Sequence, residues 1–249
     1  MTTEFLFFAN LVLLLRVPLL LRDRPPSPWA WLAKSAVEVV ALGLLFRPGF
    51  GLVALGLICV LLNVLAAPER RFRAPSRRVL LLLGLVQVLA ASVVFAPGGA
   101  ITFRPAVLAL ADPVREASAL GGLVLALLRP DSLLIGFGFL WSANEANLLI
   151  RWLLEFLELK PGGKARPISA REYERGRVIG LIERAMIYGF VLAGQFAAVG
   201  FVLAGKGFSR SRDLGPEDRD FSEYVIIGTL LSAGLAILLA AAVRWALAE

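Results

Sequence analysis

GLVALGLICVLLNVLAAPERRFRAPSRR, residues 51–78, decides the fold. Its first part, Gly51–Ala67, is apolar except for Asn63. That length suits a helix crossing a hydrocarbon core about 30 Å thick. The second part sets Arg70, Arg71, Arg73, Arg77 and Arg78 against one acid, Glu69. An apolar run closed by a short basic loop is the pattern of a membrane span held on its cytoplasmic side.

The pattern repeats outward in both directions. Apolar runs occur near Phe5–Leu21, Trp29–Phe46, Val79–Phe95, Ser132–Leu157, Val178–Ala204 and Glu223–Leu247. The 249 residues are 58% hydrophobic, with mean hydropathy +0.77. Soluble domains run nearer half apolar. The expected fold class is all-α: a polytopic transmembrane helical bundle of about seven spans plus one short re-entrant or interfacial helix. That extra helix is expected between Asp112-Pro113 and Leu128, at about 24 Å too short for a comfortable span. The chain reads as one integral membrane domain, 1–249. Its N-terminal spans lie in 1–128 and a C-terminal three-helix unit in 129–249.

Helix starts are marked by capping residues. Ser27 before Pro28, and Asp131, are expected caps. Ser169-x-x-Glu172 and Asp220-x-x-Glu223 have the capping-box form. The sixth long helix is expected to run unbroken from Ala170 to Ala204, about 52 Å. Met1–Leu21 lacks a basic leader region and a small-residue cleavage site, so it reads as a retained span.

The net charge of +7 does not point to nucleic acid. The basic residues sit in short loops, where positive-inside placement accounts for them, and no nucleic-acid motif accompanies them. If 113–128 does not cross, one side of the membrane carries thirteen Lys and Arg and the other eight. If it crosses, the split is twelve to nine. The first arrangement puts the C-terminus in the cytoplasm. With no His and one cysteine, Cys59, the chain offers no Cys/His zinc site, no haem ligation through His and no internal disulfide. Serine–histidine catalysis is excluded as well. No metal, no cofactor and no catalytic residue is expected, and the balance leans away from an enzyme.

SANEANLLIRW, residues 142–152, places polar groups in the middle of an apolar run. On a regular helix Asn144, Asn147, Arg151, Glu155 and Glu158 fall within about 80° of one another. Glu145 lies off this stripe. Arg184, Tyr188 and Gln195 form a polar stripe on the next span, expected to meet the first. Such residues line a solute path or bond helix to helix; lipid satisfies neither an amide nor a guanidinium. Gly189, Ala193, Ala197, Gly200 and Ala204 form a small-residue stripe suited to close packing. Tyr224, Gly228 and Ser232 form another. Lys34 and Glu38, four apart, are expected to neutralise each other, with room for a further partner.

GRVIGLIER (176–184), AGKGFSR (204–210) and EYVIIGTLLS (223–232) resemble the C-terminal part of a family of bacterial multi-span membrane proteins of unknown function. Its pattern is G-R-x-I-G-x-L-E-R, then A-K-S-x-x-R, then E-Y-x-x-I-G-T-L-x-S. Gly207 stands where that pattern has Ser. The resemblance spans about Arg175–Ala240 and assigns Glu183, Arg184, Lys206, Arg210, Glu223 and Tyr224 to the motif. It implies a bacterial cytoplasmic (inner) membrane location and no particular activity.

Three functions remain open at this stage. The first is transport or conduction of a small solute or ion, through Asn144, Glu145, Asn147, Arg151, Glu155, Arg184 and Gln195. The second is a non-catalytic membrane subunit or scaffold. The third, with least support, is a lipid-active membrane enzyme. The expected partners are the bilayer, anionic lipid at the basic loops, and a second copy or another membrane protein.

Overall fold

The computed structural model describes residues 1–20, 26–67, 77–96, 101–110, 113–114, 118–159, 170–209 and 219–249. Their elements are α1 Thr3–Leu20, α2 Pro28–Leu45, α3 Phe50–Ala66, α4 Arg77–Val94, α5 Pro105–Ala109, α6 Ala119–Leu127, α7 Pro130–Ala143, α8 Glu145–Phe156, α9 Ala170–Leu192, α10 Phe196–Ser209 and α11 Arg219–Ala246. Among the described residues there is no strand, only one bridge between Phe46 and Phe103.

The expected all-α class is met. Four stretches are long and apolar enough to cross a membrane: Thr3–Leu20, Pro28–Leu45, Pro130–Phe156 and Ser222–Ala246. Phe50–Ala66, Arg78–Val94 and Phe196–Phe208 are apolar but shorter. Burial follows the logic of an apolar solvent. Leu57, Val93, Leu230 and Leu238 lie exposed, while Arg16, Lys34, Glu38, Asn63 and Gln87 are buried. A water-soluble fold does the reverse.

The helices group into two compact units, Met1–Leu140 and Trp141–Glu249. The division falls inside α7, later than the 128/129 boundary read from sequence. In the first unit α1 packs on α2 and α4, α2 on α3, and α3 on α4. Phe8, Val12, Leu42, Phe46, Leu55 and Cys59 are among its core residues. The Phe46 ring lies 5.0 Å from both Phe95 and Phe103. α2 starts as the sequence indicates, with Ser27 at the N-cap position and Pro28 at the first helical position, though the Ser27 side chain makes no cap bond.

The end of α2 is closed by a distant segment. The Arg104 backbone N–H donates to Leu45 O at 2.8 Å and its Nε to Phe46 O at 2.9 Å. Arg47 N–H donates to Thr102 O at 3.0 Å. These bonds satisfy carbonyls that a helix terminus leaves without partners.

α7 runs antiparallel to α1. Asn10 Nδ2 donates to Leu133 O at 2.8 Å, whereas Phe137 lies beside Phe5, with ring centroids 6.2 Å apart. Asp131, the expected cap, sits inside the first turn because α7 already includes Pro130. Asp112 lies outside the described residues. The short helix it was expected to start is instead α6, capped by Ser118, whose side chain accepts from Gly121 N–H at 3.0 Å.

In the second unit α9 packs mainly against α11, and also against α10; α11 also meets α8. Ala233, Ala236 and Ala240 of α11 are buried with Ile187, Tyr188 and Val191 of α9. Small residues let the two backbones approach. The stripe of Gly189, Ala193, Ala197, Gly200 and Ala204 does not do so: all five are exposed. α9 is helical from its first described residue, Ala170, and the expected cap Ser169 lies outside the described residues. α11 begins no later than Arg219, so Asp220 lies inside the helix and not at the cap.

The long sixth helix is in fact two. Gln195 N–H donates to Phe190 O at 2.8 Å and Gly194 N–H to Val191 O at 3.1 Å, with Gly194 at φ +71°. This paired bonding with a left-handed residue is the Schellman termination. α8 ends the same way. Leu159 N–H donates to Leu154 O at 3.0 Å and Glu158 N–H to Glu155 O at 3.2 Å, with Glu158 at φ 57°.

Candidate functional site

Each unit holds a buried polar centre. In the first, Lys34 and Glu38 of α2 form the ion pair that their spacing implied. Two further partners arrive from other helices. Lys34 Nζ donates to Asn63 Oδ1 of α3 at 2.9 Å and to Gln87 Oε1 of α4 at 3.2 Å. Asn63 Nδ2 and Gln87 Nε2 both donate to Glu38 Oε2, at 2.7 and 3.0 Å. All four side chains are at most 3% exposed. Charges taken out of water need such complete bonding. Arg16, also buried, donates from Nη2 to Leu80 O at 2.8 Å. The Trp31 Nε1 and Ser35 Oγ groups of the same helix are buried without a hydrogen-bond partner among the described residues.

In the second unit the apolar run Pro130–Phe156 is interrupted at Asn144, where φ is −109° and ψ −68°. An interrupted helix leaves carbonyls in need of donors. Arg184 of α9 supplies them. Its Nε donates to Ser142 O at 3.1 Å and its Nη2 to Ala143 O at 3.5 Å. Its Nη1 donates to Ser232 Oγ of α11 at 3.2 Å. Asn144 and Glu145 are both buried at the break, and Asn144 Nδ2 donates to Glu145 Oε1 at 3.4 Å.

A narrow cleft continues from Ser232 among α9, α10 and α11. Thr229 and the ion pair of Glu183 with Lys206 also line it. Polar groups therefore follow one another from the break at Asn144 through Arg184 and Ser232 to Glu183 and Lys206.

The expected stripe is only partly met. Asn144 is buried and Asn147 and Arg151 are half-buried, but Glu155 is exposed and Glu158 has left the helix. Glu145, set off the stripe by regular periodicity, is the most buried of the group at 1%. Glu145, Asn147, Arg151 and Glu155 all lie in α8 beyond the break, so their mutual register is regular. The buried side of α8 is that of Glu145, Leu148, Ile150 and Leu154, not that of the stripe, and Glu158 falls past the end of the helix. Gln195 is exposed in the turn after α9 and not on that helix. Arg184 and Tyr188 are buried as expected.

Of the motif charges, Lys206 pairs with Glu183, Glu223 is exposed, Tyr224 is half-buried and Arg210 lies outside the described residues. Gly228 rests against Leu154, with 3.6 Å between an added Cβ and Leu154 Cδ1. The Tyr224–Gly228–Ser232 face therefore does contribute packing. Asn63 and Gln87 were missed as site residues. Their signal was there, since each is a lone amide in an apolar run. No group of three or more His, Cys, Asp or Glu arranged for a metal occurs among the described residues. No family model matches the chain, and no curated protein or solved structure is significantly similar to it.

Proposed function

We propose that the chain is a multi-span protein of the bacterial cytoplasmic membrane that passes a small solute or ion through its second unit. The observation that carries this reading is the interruption at Asn144 with Arg184 bonded to its carbonyls. Non-helical backbone at membrane depth is tolerated where protein buries it or where it lines a polar cavity. Broken helices of this kind form the binding sites of many transporters. The polar sequence from Glu145 through Arg184 and Ser232 to the Glu183–Lys206 pair would be the path. In this proposal the basic loops meet anionic lipid, and the chain crosses about seven times with a cytoplasmic C-terminus unless 105–128 adds a crossing, as the antiparallel pairing of α1 and α7 favours.

The test uses purified protein in liposomes. Proton flux is read with entrapped pyranine under a valinomycin-set potassium potential. Rubidium and chloride are followed by tracer uptake, and glycerol and urea by osmotic swelling. At least one flux should exceed that of empty vesicles and fall sharply in Glu145→Gln and Arg184→Met proteins of unchanged helix content. Flux equal to empty vesicles for every probe, or indifferent to both substitutions, refutes the proposal.

A second reading, a non-catalytic membrane subunit, is favoured by one observation. Ala197, Gly200 and Ala204 form a small-residue face on α10 that is exposed among the described residues. A second copy or another membrane protein would cover it. A lipid-active enzyme has no comparable support.

A further inference from the structure

The groups around Lys34 make something more specific than an ion pair. Its Nζ is held by three oxygens: Glu38 Oε1 from α2, Asn63 Oδ1 from α3 and Gln87 Oε1 from α4. An ammonium has three N–H donors, and each finds one acceptor. The two amides turn their nitrogens the other way, onto Glu38 Oε2. That bonding fixes which end of each amide is oxygen. Asn63 and Gln87 thus each bridge the cation and the carboxylate.

Such a cage has a definite chemistry. It carries one negative charge and two neutral oxygens, the latter at 2.9 and 3.2 Å from the cation. Magnesium and calcium demand oxygens at about 2.0–2.6 Å and six or more of them, so a divalent ion does not fit. Each cage oxygen belongs to a side chain other than the lysine. We propose that Glu38, Asn63 and Gln87 form a binding site for a monovalent cation of ammonium or potassium size, with Lys34 as its tethered occupant. A buried carboxylate needs a positive charge beside it at all times. Lys34 provides that charge here. Arg16 of α1 is buried as well and donates to Leu80 O. This site is in the first unit and does not depend on the path proposed in the second.

The experiment removes the tether. Lys34→Ala protein is prepared in ammonium chloride, then melted in ammonium, potassium or choline chloride at equal ionic strength. Choline is too large for the cage. Ammonium and potassium should raise Tm over choline in a saturable way, by roughly 3–6 °C at about ten times the dissociation constant. The rise should vanish in Lys34→Ala/Glu38→Gln, which lacks the charge. Equal Tm values for Lys34→Ala in all three salts overturn the proposal. So does failure to recover Lys34→Ala from ammonium or potassium salts, whether or not the double variant folds, because the cage then accepts no untethered cation.

Discussion

Replacing Gly194 by alanine separates two structures by the sign of the effect. If the run from Ala170 to Ala204 were one helix, glycine in its interior would cost about 0.8–1.0 kcal/mol relative to alanine. Gly194→Ala would then stabilise the protein by that amount. In the structure Gly194 has φ +71° and closes the Schellman turn after α9. A Cβ in this region meets its own backbone, at a cost of about 1–2 kcal/mol. The new Cβ would also lie 3.2 Å from Arg244 Nη1, but a guanidinium at the end of a flexible side chain can give way. The expected result is destabilisation by about 1–2 kcal/mol, set almost wholly by the backbone. The assay is equilibrium unfolding in mixed micelles with rising SDS fraction, read by helix content. A Gly194→Ala protein more stable than the parent would refute the turn at this position.

Glu158→Gly should stabilise by about 0.5–1 kcal/mol in the same assay, because Glu158 holds φ 57° without glycine's freedom. Asn63→Leu removes one acceptor from Lys34 and one donor from Glu38. Bonds to charged groups are worth about 1.5–3 kcal/mol each in soluble proteins, but polar contacts in membranes average about 0.6. A loss of about 1–4 kcal/mol is therefore expected, and no loss would mean that the amide is idle. Topology is tested by Ala74→Cys and Ala165→Cys, labelled from outside in intact cells, with the buried Cys59 left in place. Both unlabelled fits seven crossings with cytoplasmic loops. Label on only Ala165→Cys would show that 105–128 crosses, the arrangement that the antiparallel pairing of α1 and α7 favours.

What the sequence made legible was whatever depends on composition and local spacing. Apolar runs, basic loops, the Lys34–Glu38 pair and the Ser27-Pro28 start all follow from neighbours within a turn. Asn63 and Gln87 lie 25 and 49 residues from Glu38, and no periodicity connects them to it. The breaks were hidden for a different reason. Glycine is common inside membrane helices, so Gly194 within an apolar run gave no stop signal. Asn144 read as one polar residue among several. Regular periodicity run through the turn at Gly194 and past the end of α8 placed Gln195 and Glu158 on faces they do not occupy.

The division of work between arginine and lysine in the interior follows from donor geometry. Arg16, Arg104, Arg184 and Arg244 each donate to main-chain carbonyls near a helix end or break: Leu80 O, Phe46 O, Ser142 and Ala143 O, and Val191 O. The planar guanidinium spreads five N–H groups over several acceptors at once. Lys34 instead sits where three oxygens converge on one point, which suits a compact ammonium. Arg184→Lys keeps the charge but cannot reach Ser142 O, Ala143 O and Ser232 Oγ together. Losing one or two of these bonds should cost about 1–3 kcal/mol, between the membrane and soluble-protein values. The conservative change should thus be nearly as harmful as Arg184→Met. Equal stability of Arg184→Lys and the parent protein would show that position 184 needs only charge, and that the break at Asn144 does not rely on the fork.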